Sequence, residues 1–151
     1  MKYNLENLIK DFNSKKKLKF LFFCCFSSIF SMSPKLFNDN EIFHKIMSSK
    51  SPKEYKELGR KIKNFSDSKW NENKYQIVLK GNIAKFSQNE KLKVFLLNTG
   101  TKILVEASPY DKIWGIGLSA DQENIENPLT WRGENLLGFA LMEVRDLLNK
   151  N

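Results

Sequence analysis

Apolar residues recur along this chain at helical spacing, broken by short apolar runs bounded by turn residues. Leu5, Leu8, Ile9 and Phe12 fall at i, i+3, i+4 and i+7 and predict a short amphipathic helix. Phe20-Leu21-Phe22-Phe23-Cys24-Cys25-Phe26 is a continuous aromatic-rich run that predicts a buried strand over 20–26. Ser33-Pro34 interrupts whatever follows. Asn38 or Asp39 caps a helix near 39–49 that turns Ile42, Phe43, Ile46 and Met47 inward. Ser51-Pro52-Lys53-Glu54 starts another, near 52–62: a serine cap, proline at the first helical position, and a glutamate placed for a capping box. A longer helix over 67–87, capped by Ser66 or Asp67, shows Tyr75, Val78, Leu79, Ile83 and Phe86 on its apolar face. Asn82, Lys85 and Asn89 follow on another face, or Asn89 caps a further helix over 90–99 closed by Gly100. Short strands are predicted at 102–106 and 112–117, then a polar loop over 119–130. A last helix over 134–148 points Leu137, Ala140, Leu141, Val144 and Leu148 inward. The fold class is therefore α+β: a compact, mainly helical single domain with a few short strands.

Length and composition agree with one soluble domain, at 151 residues with 41% hydrophobic and 28% charged content. The net charge of +8 makes an anionic partner plausible. Residues 1–19 hold six lysines against Glu6 and Asp11, half of that excess, and are read as a basic arm; residues 20–151 form the domain. The Lys15–Phe26 stretch has a basic flank and an apolar run, as a secretory signal would. The acidic residues ahead of it, the serines that interrupt it and the lack of a clean small-x-small site argue against one, and it is too short to span a membrane. Cys24 and Cys25 are adjacent, with no CxxC pattern, and are read as reduced small apolar residues. His44 is the only histidine, which excludes a histidine metal cluster and any histidine-based catalytic set. The expectation is a cytoplasmic protein without metal, cofactor or membrane contact.

Candidate chemistry lies in three stretches. Lys85 sits among amides on a half-apolar helix; partial burial would leave some neutral amine, able to attack the anomeric carbon of an opened ribose. Glu106 closes a strand and Asp111 follows a Ser-Pro turn, positions where a rigid scaffold presents carboxylates. Cleaving a glycosidic bond takes an acid for the leaving group and a carboxylate for the oxocarbenium-like state, and Glu106, Asp111 and Glu134 are the candidates. Trp114 can stack a heterocyclic base, with Gly115 and Gly117 permitting close backbone approach. That G-x-G lacks the rest of a dinucleotide fingerprint. Trp131-Arg132-Gly133-Glu134-Asn135 opens the last helix, where free amides and Arg132 could receive a phosphate. Turn-forming acids, a core tryptophan and a surface lysine are the bland alternatives for each.

Taken in order, Leu36-Phe37-Asn38-Asp39, Lys50-Ser51-Pro52, Gly81-Asn82, Lys85-Phe86-Ser87-Gln88-Asn89, Leu97-Asn98-Thr99-Gly100, the Glu106–Gly117 motif and Trp131-Arg132-Gly133 through Gly138 resemble the NADAR, or YbiA-like, family. The resemblance is densest over 36–148. It implies hydrolysis of N-glycosidic bonds in phosphoribosyl or ADP-ribosyl compounds, such as early riboflavin-pathway intermediates or ADP-ribosylated guanine, without a metal. It implies Lys85 as the catalytic lysine. It implies a ligand lining of Asn89, Glu106, Ser108, Asp111, Trp114, Gly115, Gly117, Trp131, Gly133 and Asn135, with Lys85, Asp111, Trp114 and Asn135 converging on one cavity. Family members carry a glutamate-bearing segment after the first strand. Here no residue between Phe26 and Leu36 is acidic, as if that segment were deleted. Two other readings stay open: a catalytically impaired binder of ribose phosphate or ADP-ribose, and a basic protein that contacts nucleic acid through residues 1–19.

Overall fold

The computed structural model describes residues 33–49 and 51–150, and the backbone of 18–20. The elements in chain order are β1 (Leu18–Phe20), α1 (Asn40–Ser48), α2 (Pro52–Gly59), α3 (Asp67–Ser87), α4 (Glu90–Leu97), β2 (Ile103–Val105) and α5 (Leu136–Leu148), with a 3-10 turn at Pro128–Thr130. The architecture is mainly helical α+β. Contacts divide the described residues into two units: 33–85 form one, and 18–20 with 86–150 the other.

In the first unit each helix starts where its sequence provides a cap. Asp39 Oδ1 accepts from the Ile42 amide at 3.0 Å and opens α1. Its Oδ2 accepts from the Lys63 amide at 2.9 Å, which fastens the chain beyond α2 to the start of α1. These two backbone bonds, Lys63 first, hold the Asp39 carboxyl below its ordinary value of 3.8. Ser51 Oγ accepts from the Glu54 amide at 3.2 Å, with Pro52 next, as a helix start requires. Ser66 Oγ does the same for Lys69 at 3.4 Å, a long bond. On the surface, Lys45 and Lys63 both bind Glu41, and their hydrogen bonds take its carboxyl down to about 2. Phe37, Phe65 and Trp70 form a chain of tilted ring contacts.

One inward-facing and one outward-facing expectation are corrected here. Ile42 and Ile46 are buried on α1, but Met47 is 61% exposed, because its position lies past the edge of that narrow apolar stripe. On α3, Asn82 is buried with Val78 and Phe86 instead of lying on an outer face. It tolerates burial partly because its Nδ2 donates to the Val78 carbonyl at 2.8 Å.

The second unit is built on β2 and α5. β1 pairs in parallel with β2, in the register Leu18 to Ile103, Lys19 to Leu104 and Phe20 to Val105. All three β2 residues are buried, as is nearly every residue of α5 from Leu136 to Val144. Gly138 lets them approach: a Cβ there would collide with the Leu104 carbonyl oxygen and stand 2.6 Å from Asn135 Oδ1. Arg145, buried on α5, donates at 2.8 Å to both Thr99 Oγ1 and the Lys102 carbonyl, tying the chain after α4 to the helix. Gly100, at φ +57°, makes the turn between α4 and β2.

The helix spans at 40–48, 67–87 and 90–97 lie close to expectation, while α2 stops at Gly59 and α5 starts at Leu136. The strand predicted over 112–117 is absent; that segment is a bent loop whose carbonyls bind another loop and a helix start instead of a strand. Of the strand expected at 20–26, only Phe20 falls in β1, and 21–26 lie outside the described residues, as do the arm, its expected helix and both cysteines. Among the described residues no helix is long and apolar enough to cross a membrane.

Candidate active site

The loop from Glu106 to Gly117 leaves the end of β2 and is fixed by its own backbone. The Glu106 carbonyl accepts from the Ser108 amide at 3.1 Å and the Ile116 amide at 3.0 Å, which closes the loop on itself. Asp111 Oδ1 accepts from the amides of Ile113 at 3.0 Å and Trp114 at 2.7 Å. This is the local turn that an aspartate side chain makes in place of backbone. One oxygen of Asp111 is thereby committed to shaping the loop.

Next, the loop receives the start of α5. The Glu134, Leu136, Leu137 and Asn135 amides donate to the carbonyls of Lys112, Ile113, Trp114 and Gly115, at 2.9 to 3.2 Å. The first amides of a helix otherwise lack partners. Here loop carbonyls take those of Leu136 and Leu137, which docks the loop onto the helix start. Arg132 donates its amide to the Ile116 carbonyl at 2.8 Å, and its side chain is exposed.

The glycines follow from this packing. A Cβ on Gly115 would lie 2.9 Å from the Asp111 carbonyl oxygen and 3.0 Å from that of Glu106. One on Gly133 would strike the Gly115 carbonyl oxygen and lie 2.9 Å from the Lys112 Cα. Gly117 has φ +69° and faces Arg132. Each glycine is required by the chain's own close approach. Trp131 is buried with its indole N–H bonded to the Ile125 carbonyl at 2.7 Å, which makes it a core residue of this unit.

The residues left facing outward in part are Glu106, Ser108, Asp111 and Trp114, all half-buried. Glu106 stands out, because its Oε2 is sealed from solvent. A carboxyl group kept partly from water is a feature that acid chemistry uses. Asn135 is fully buried and spans from α5 to β2. Asn89 caps α4, its Oδ1 accepting from the Leu92 amide at 3.1 Å. Lys85 lies in the last turn of α3, half-buried, within the first unit. Among the described residues no three His, Cys, Asp or Glu side chains are grouped to hold a metal ion.

A model of the NADAR domain matches residues 3–149. The chain belongs to the NADAR family. Among its relatives, an N-glycosidase of Acanthamoeba polyphaga mimivirus is 49% identical over 111 residues, covering 74% of this chain and 65% of that protein. A chloroplastic riboflavin biosynthesis protein of Zea mays, PYRR, is 33% identical over 109 residues, covering 70% of this chain and 16% of the maize protein. This NADAR chain thus spans just under two thirds of the viral relative's length. The fold also resembles the NMR structure of the E.coli protein YbiA, with a TM-score of 0.65 at 29% identity over 82% of this chain and 67% of the other.

Two features escaped the sequence reading. The union of Gly138 with Leu104 was signalled only by a glycine inside an apolar helix, which costs helix stability and so implies a close neighbour. The tie from Arg145 to Thr99 and Lys102 had no signal, since a lone arginine on a helix is ordinarily solvated.

Proposed function

We propose that this chain is an N-glycosidase that hydrolyses the bond between ribose C1′ and nitrogen in phosphoribosyl or ADP-ribosyl compounds. Family membership and the N-glycosidase among its relatives support the reaction class. The riboflavin biosynthesis relative favours a phosphoribosyl intermediate of that kind of pathway, with ADP-ribosylated guanine as the other substrate of the same chemistry. The observation that carries the reading is Glu106: a half-buried carboxylate at a strand end, one oxygen sealed from water, on a loop closed through its own carbonyl.

In this reading Lys85 Nζ attacks C1′ of the ring-opened sugar. Glu106 delivers a proton to the departing nitrogen, and the C1′–N bond breaks. Water then hydrolyses the iminium at C1′, releasing the ribose phosphate or ADP-ribose and restoring the lysine. Asp111 keeps the loop in shape through Oδ1, and its carboxylate charge favours the cationic sugar. Trp114 and Ser108 contribute contacts to base and sugar, with Arg132 as a phosphate contact.

The test is chromatography with mass detection of free base and ribose 5-phosphate from a pyrimidine-amine ribosyl phosphate, and of guanine nucleoside and ADP-ribose from an ADP-ribosylated guanine nucleoside. Borohydride should trap sugar on Lys85. Glu106→Gln should lower turnover by about 10²–10⁴. Base release that persists undiminished in Lys85→Ala, with no trapped adduct, would overturn the lysine mechanism.

A further inference from the structure

We infer that Asn135 is a positioning residue for Glu106, a clamp between α5 and β2 and no contact for substrate; this rests on the proposed acid role of Glu106. Asn135 stands at the N-cap of α5, where an asparagine ordinarily turns its side chain onto the helix's own first amides. Here it makes no such cap. Loop carbonyls have taken the first two of those amides, Leu136 and Leu137, and the side chain is put to another use. It reaches sideways to β2 instead. Its Oδ1 accepts from the Glu106 amide at 3.1 Å, and its Nδ2 donates to the Leu104 carbonyl at 3.0 Å.

The backbone of Asn135 is equally committed. Its N–H donates to the Gly115 carbonyl at 3.0 Å, and its C=O accepts from Phe139 at 3.1 Å. The residue is 0% exposed and holds a left-handed φ of 55°, a conformation that asparagine tolerates better than most side chains. Gly138 clears the space that the amide fills. One residue therefore fixes the strand end before Glu106, the Glu106 amide and the far limb of the loop at Gly115. A substrate has no polar atom of this side chain within reach, since a fully buried amide presents none to solvent. What it can do is hold the half-buried Glu106 carboxyl group where it can reach the leaving nitrogen.

The geometry requires an amide and not a carboxylate. Asn135→Asp is isosteric but sets an oxygen against the Leu104 carbonyl oxygen. Asn135→Gly keeps the left-handed backbone and removes both side-chain bonds. The experiment measures amide hydrogen exchange at Glu106, with kcat and KM, in both variants, in Glu106→Gln and in the Asn135→Gly, Glu106→Gln pair. The expected result is Glu106 exchange accelerated about tenfold beyond that of the α4 amides, since a bond specific to that site is lost. It is also a kcat lower by about 10²-fold, the scale of a small misplacement, with KM held within about twofold. The paired variant should turn over no more slowly than Glu106→Gln alone. A raised KM with unchanged kcat would make Asn135 a substrate contact and overturn the inference. Unchanged Glu106 exchange, or losses that add in the pair, would overturn it too. Full turnover in Glu106→Gln would remove the acid role from Glu106, and with it this inference, while the exchange data would still show whether the clamp exists.

Discussion

At the scale of single residues, two contacts set what this chain tolerates. Gly138 has no room for a methyl group, because the Leu104 carbonyl and the Asn135 amide already occupy it. Helix propensity favours alanine over glycine, so a purely local view expects Gly138→Ala to stabilise α5. Packing decides the sign the other way. We expect a loss of about 1–3 kcal/mol, the usual cost of forcing extra volume into a packed core, read from urea unfolding. Asp39 makes the second contact. Its folded carboxyl is held below 3.8, so its contribution to stability is present above that value and is lost as pH falls through the lower folded value. Asp39→Asn places a donor against the Lys63 or Ile42 amide. The variant should melt earlier than the parent at pH 7, and the gap should narrow below pH 3.8 in thermal scans.

Among the elements, caps and connections were the most legible. Asp39, Ser51 and Asn89 each accept the amide three residues on, and α1, α2 and α4 begin beside them. These are local events, fixed by the chemistry of four consecutive residues. Asn89 has been assigned to ligand lining as well as capping, and the two roles separate experimentally. Asn89→Asp keeps the accepting oxygen and should leave unfolding unchanged. Asn89→Ala should cost about 1 kcal/mol. Weaker binding of ribose 5-phosphate in Asn89→Asp, without any loss of stability, would establish the amide as a ligand contact. The segment 112–117 failed as a strand for a reason no local pattern carries. Its carbonyls bind the start of α5 and the Arg132 amide, partners that arrive from later in the chain.

For the molecule as a whole, charge and chemistry divide along the chain. Residues 33–85 hold twelve Lys and Arg against six Asp and Glu, while residues 86–151 hold seven against nine. The excess outside the arm therefore belongs to the stretch that carries Lys85, and the loops with Glu106 and Asp111 are slightly acidic. The family resemblance implies a glutamate between Phe26 and Leu36, where this chain has no acidic residue, so the proposed acid Glu106 would act without that second carboxylate. We expect ribosyl N-glycoside hydrolysis slower by about 10²–10⁴ than in a relative that has it, alongside clear thermal stabilisation by ADP-ribose or ribose 5-phosphate. Lys85→Ala should abolish the remaining turnover, and fast hydrolysis indifferent to that change would refute both expectations. If residues 1–19 instead direct the chain to nucleic acid, their deletion should remove a salt-dependent binding measurable by fluorescence anisotropy.

The sequence by itself determined the helices, their caps, the turn at Gly100, the short strand before Glu106 and the family to which the motifs belong. Each depends on residues within a few positions of one another, or on an ordered set of motifs. Only the tertiary structure decided which backbone groups the polar and glycine residues meet. Gly115 and Gly133 read as ligand approaches, and the structure also sets the carbonyls of Asp111 and Glu106 beside the first and that of Gly115 beside the second. Asn135 reads as a ligand-lining residue, and the structure puts its amide on β2, 31 positions from the Leu104 carbonyl it binds. Side-chain volume and hydrogen-bonding capacity are written in the sequence; which backbone group uses them is set by long-range contact alone.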